Sequence, residues 1–173
     1  MIRLPAVTLV LLSVAAPATF GAGGLGASIP LHPVTKTSNC HVRGPLPDAG
    51  CTPGTRYRLV DKGPVCKPGY ASSVRNVPES RKDDVYRAYA MKQHFNGRNG
   101  EVDHLVSLEL GGTNATAKLF PEAASPRPAS QEKDRLENRL HDLACSGQIN
   151  LRRAQREIAT NWVKAYKIYV LPI

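Results

Sequence analysis

The chain contains no Cys-x-x-Cys pair, so the zinc knuckle that staples many small nucleic-acid-binding domains has no sequence counterpart here. It also lacks a second long apolar run after its first twenty residues, which argues against a membrane-spanning body. No internal repeat is present beyond a weak echo of CTPG in CKPG, which excludes a solenoid. Acidic residues are scarce: 14 Asp and Glu stand against 23 Lys and Arg, a formal net charge of +9. Charge of that sign favours an anionic polymer over a neutral small substrate, without saying which polymer.

What is present at the N-terminus reads as an export leader. Arg3 supplies positive charge, Leu4 to Ala16 is an apolar run, and Ala16-Pro17-Ala18 offers small residues at cleavage spacing. Residues 1–18 are therefore expected to be a signal peptide; the alternative is an uncleaved anchor. Only Arg3 is charged within them, so the mature chain keeps a charge near +8. The expected location is periplasmic or secreted. Four cysteines in such a chain suggest disulfides. Of the three connectivities, Cys51 with Cys66 is preferred, because CTPG and CKPG flank one short segment.

The remaining chain divides in two. Residues 19–50 are rich in Gly, Pro, Ser and Thr and read as a linker or irregular arm, and residues 51–173 as the folded domain. A short strand is expected at Tyr57 to Val60. One helix should start near Pro78 and run past Tyr89. A second should span about Ala129 to Ala144, with Ser130 as cap, Leu136, Leu140 and Leu143 as its apolar stripe, and Gly147 as its stop. The third should span about Leu151 to Tyr169, capped by Asn150, with Ala154, Ile158, Trp162, Ala165 and Tyr169 on one face, read as core.

The chemistry concentrates in Glu101 to Glu122, EVDHLVSLELGGTNATAKLFPE. Asp103 and His104 close a short alternating run, Gly111-Gly112 turns the chain, and a second strand is expected at Ala117 to Phe120, ended by Pro121. A helix rich in Asp, Glu, Asn and His follows. Adjacent residues in a strand point to opposite faces, so Asp103 and His104 can serve one site only if the strand ends or bends there. Phosphodiester hydrolysis needs an activated water and charge neutralisation at the phosphate, which an imidazole and a cation can supply.

This layout resembles the HNH endonucleases, over Glu101 to roughly His141. The resemblance implies an α+β domain: a ββα-metal hairpin-helix core with flanking helices, hydrolysing DNA, or RNA as well, with little sequence specificity. It implies His104 as the residue that activates water. It implies Asp103 as a ligand of a divalent ion, Mg²⁺ by expectation, joined by a residue of the helix; spacing on the helix face favours Asn138 or His141, with Glu137 third. The family's middle Asn aligns with Lys118, which cannot accept a hydrogen bond. Either Asn114 takes over the pinning of the loop, or the loop is held differently. Arg75 and Lys118 are the expected nucleic-acid contacts, and Arg81, Lys82 and Arg87 surround the first helix beside Arg75. The rival reading is a non-catalytic exported module of the same fold that binds nucleic acid or another anionic polymer. A third is a small disulfide-stabilised structural or inhibitor protein. No immunity or inhibitor partner can be named from the residues.

Overall fold

The computed structural model describes residues 24–171; the expected signal peptide, residues 1–18, lies outside them. The described residues are α+β. In chain order they form strand β1 (Ser28–Pro30), strand β2 (Thr55–Tyr57), the short helices α1 (Lys62–Val65) and α2 (Tyr70–Val74), and helix α3 (Glu79–Ala88). Strands β3 (Gly100–His104) and β4 (Leu119–Ala123) and the long helices α4 (Ser130–Cys145) and α5 (Leu151–Tyr169) follow. Each pair of strands forms its own two-stranded antiparallel sheet.

The long helices form where spacing puts apolar residues on one stripe. Leu136, Leu140 and Ala144 of α4 are buried, as are Ala154, Ile158, Trp162 and Ala165 of α5. Asn150 caps α5, its side-chain oxygen accepting from the Arg153 N–H at 2.7 Å. The first residue of α4 is Ser130, so the cap falls on Ala129 and not on Ser130. Glu132 reaches back to accept from the Ala129 N–H at 3.0 Å, which satisfies one helix-end donor. Two polar bonds fix α5 on the rest: Gln155 donates to the Leu110 carbonyl at 2.7 Å in the interior, and the Trp162 indole donates to the half-buried Pro45 carbonyl at 3.1 Å.

Three expectations are corrected. Pro121 does not end the second strand but sits inside β4, opposite Val102. A sheet of two strands consists of edges, so a missing N–H on the outward side costs no ladder bond. Residues 24–50 are irregular apart from β1, yet they are anchored: β1 pairs with β2, and Leu25 and Cys40 are buried in the core. The cysteines pair as Cys40–Cys51 and Cys66–Cys145, leaving the expected Cys51–Cys66 link unmade. These bonds fit an oxidising compartment. Among the described residues no helix is long and apolar enough to cross a membrane.

Candidate functional site at the end of strand β3

Strand β3 ends at His104, where the Leu105 N–H makes a last bond to the Lys118 carbonyl at 2.9 Å. In the hairpin Asp103 lies opposite Phe120 and His104 opposite Leu119. The chain then folds tightly back on itself. Gly112 donates to the Ser107 carbonyl, and a Cβ on Gly112 would lie 1.9 Å from the Val106 oxygen, so only glycine closes this turn. The turn delivers Thr113 and Asn114 beneath the strand end.

Asn114 is buried, and its side chain is oriented on both sides by backbone. Its amide nitrogen donates to the Val74 carbonyl at 2.7 Å, while Oδ1 accepts from the Asn76 N–H at 3.1 Å. The Arg81 guanidinium donates to the Asn114 carbonyl. With the amide fixed this way, the atom 3.3 Å from His104 Nε2 is an oxygen, which can only accept. The ring proton of neutral His104 therefore sits on Nε2, and Nδ1 carries the lone pair. Nδ1 lies 4.0 Å from Asp103 Oδ1. Burial is the main reason the His104 imidazole titrates low, at about 4; Asp103 and the Asn114 bond oppose it without reversing it. The ring is thus a free base at neutral pH.

Helix α4 presents Lys133 and Glu137 to this strand end. The Lys133 ammonium bonds both Asp103 Oδ2 and Glu137 Oε1, with its side chain fully buried and the Phe120 ring 5.9 Å from the nitrogen. Burial alone would raise the Asp103 carboxyl, but the Lys133 charge outweighs it and holds Asp103 below the usual range. Burial likewise disfavours the ammonium, yet Asp103, Glu137 and Glu122 together keep Lys133 protonated well above its ordinary value. Glu122 of β4 is buried with neither carboxyl oxygen hydrogen-bonded. Burial, then the neighbouring carboxylates against the pull of Lys133, push it up to about 8. Burial also raises Glu137.

His104 also lines a cleft of about 490 Å³ together with Arg75, Lys82, Tyr86, His94 and Glu101. Arg75, at the end of α2, is exposed and supplies positive charge at the cleft. His94 stacks on Tyr86 with ring centroids 4.1 Å apart.

The expected residues thus divide. Asp103, His104, Asn114 and Arg75 come together. Asn138 and His141 do not join them. Asn138 is exposed and borders a different groove with Arg135 and Tyr169. His141 lies beside the Cys66–Cys145 disulfide, its Nε2 3.3 Å from the Val65 carbonyl and 3.5 Å from Cys145 Sγ. Cys66, His141 and Cys145 cluster within 4.8 Å, but disulfide sulfurs are not thiolates and do not ligate as such. Lys118, expected to contact nucleic acid, is fully buried and bonds Thr113. Burial brings its amine down to about 6, so it is uncharged at neutral pH and presents nothing to a phosphate.

No protein-family model, curated protein or solved structure matches the chain. Function therefore has to be argued from the site. Sequence reasoning gave neither Lys133 nor Glu122 a role. A signal for Lys133 existed: with Leu136 three residues on and Leu140 seven on, it shares the buried stripe.

The donor set around Asp103 is a fit test for a divalent ion. Carboxylates are the hard ligands such an ion prefers. The position between Asp103 and Glu137, however, is held by the Lys133 ammonium. One point cannot accommodate both cations, so these residues do not fit a divalent ion there.

Proposed function

We infer that the protein hydrolyses phosphodiester bonds of nucleic acid, with His104 as general base. The observation that carries this reading is the orientation of Asn114, which places the ring proton on Nε2 and leaves Nδ1 free to accept one. Attack would begin with a water losing its proton to Nδ1 as its oxygen bonds phosphorus. The P–O3′ bond then breaks, and the departing oxygen takes a proton from solvent. Asp103, 4.0 Å from Nδ1, stabilises the imidazolium formed in that step. Arg75 at the cleft meets the charge on the non-bridging oxygens. The net charge of +9 favours a polyanion, and the contacts offered are of the kind that hold phosphate and not base edges. The resemblance to HNH hairpin-helix enzymes supports the same reading, as does the order β3, β4, α4. Export to the periplasm or the medium is part of the proposal, since the two disulfides suit it.

A second reading, a module that binds nucleic acid without cutting it, is favoured by the burial of His104, only 2 % exposed. Supercoiled plasmid and a single-stranded oligonucleotide, incubated with the protein and with His104→Ala, separate the two. Cleavage lost in His104→Ala supports the hydrolase. Gel retardation without cleavage, from folded protein, supports the binding module.

A further inference from the structure

The hydrolase reading leaves open what neutralises the acidic wall of the site, and the inference below rests on that reading. Two carboxylates, Asp103 on β3 and Glu137 on α4, meet at one buried point, and a third carboxyl, Glu122 on β4, is buried near enough to act on it through space. At that point stands the Lys133 nitrogen, bonded to Asp103 and to Glu137. Its stem is packed in the core with no exposure and its head lies over the Phe120 ring, so the cation is delivered on a fixed arm and cannot drift away as a loosely held ion can. Of the other carboxyl groups near this cluster, Glu101 and Asp134 are exposed and Glu109 is half-buried. A divalent ion seated between hairpin and helix would need the oxygens of Asp103 and Glu137 that the ammonium already engages, and would meet a buried like charge at close range.

We propose that Lys133 is the resident cation of this site and replaces a divalent metal, so that hydrolysis proceeds in the presence of a chelator. Lys133 acts here as a positioning residue. It does not touch substrate; it keeps Asp103 ionised and turned so that its second oxygen faces His104 Nδ1. Charge at the scissile phosphate comes from Arg75, which is exposed in the cleft. This arrangement makes the site different in kind from one in which a carboxylate binds metal and the metal binds phosphate.

Two measurements on the unaltered protein test the proposal. Cleavage is followed in EDTA, in Mg²⁺ and in Mn²⁺, and melting temperature is followed as Mn²⁺ is added. The expected result is equal cleavage in EDTA and in metal, with melting indifferent to Mn²⁺. Cleavage abolished by EDTA and restored by Mg²⁺ or Mn²⁺ overturns the proposal while leaving the hydrolase standing. Absence of cleavage under every condition removes the hydrolase reading and the proposal with it. A variant gives the converse signature. Lys133→Ala empties the point between Asp103 and Glu137, so its melting temperature should rise with Mn²⁺. Its cleavage in EDTA should fall by roughly 10- to 100-fold, as for groups that orient a catalytic residue, and recover in part with Mn²⁺. Lys133→Ala that folds, yet ignores Mn²⁺ and cuts as before in EDTA, also overturns the proposal. Should that variant not fold, the two measurements on the unaltered chain decide.

Discussion

His104 and Lys118 show what burial does to a base that has nowhere else to go. His104 is neutral because its surroundings disfavour charge, and in the proposed hydrolysis it can act as a base only while neutral. Cleavage should therefore stay high as pH falls through the ordinary imidazole range and drop only near pH 4; kcat/KM measured from pH 3 to 8 checks this, and an acid limb near 6.5 would contradict it. Lys118 is the costlier case. Its amine is buried with Thr113 as its bonded partner, and its folded value of about 6 lies below the ordinary 10.5. Between those two values the unfolded chain holds a proton that the folded chain does not, so this residue makes stability rise with pH across that window. Lys118→Met should raise stability at pH 7 by on the order of 2 kcal/mol, and the gain should shrink towards pH 10. Denaturation at the two pH values decides, and an equal gain at both would refute the assignment.

At the scale of elements, the hairpin owes its chemistry to a turn that tolerates no side chain. Gly112→Ala would drive a Cβ into the Val106 carbonyl oxygen. The backbone there must open, at a cost on the order of 4 kcal/mol, and Asn114 would lose its register beneath His104. The expected outcome is a large fall in the urea midpoint together with loss of cleavage; a variant as stable as the original would show that the turn has slack. Much of this level was legible in the residues. The stripes of α4 and α5, the Asn150 cap and the end of β3 at His104 follow from periodicity and local bonding. The inward face of α4 was harder to read, because a lysine and a glutamate on an apolar stripe look like solvent residues until a hairpin carboxylate is placed against them. Pro121 misled for a related reason: proline is a stop signal in isolation, and only the pairing shows that its face of the strand is free.

Over the whole molecule, short elements are tied by long-range links. The bond between Cys66 and Cys145 joins residues 79 apart in sequence, connecting the end of α1 to the end of α4. Replacing both cysteines with alanine should cost on the order of 4 kcal/mol by the loop-entropy argument, and thermal melting of the double variant measures it. A variant that melts with the original would mean that the core alone holds these ends. Residues 24–50, held by the Cys40–Cys51 bond and by the pairing of β1 with β2, look shapeless as sequence for a related reason. Three-residue strands carry no period, and the cysteine pairing was open among three possibilities until distant segments were in place.

The side chain of Asn114 draws its orientation from Val74 and Asn76, nearly forty residues upstream and outside the hairpin. The lone pair of the proposed base is thus set by a part of the chain that takes no part in the proposed reaction. The smallest competent unit is accordingly larger than the hairpin and its helix. A fragment of residues 100–145 lacks the groups that tell the imidazole where to keep its proton. If the hydrolase reading holds, competence and complete folding are one event, and a half-assembled chain cannot cut.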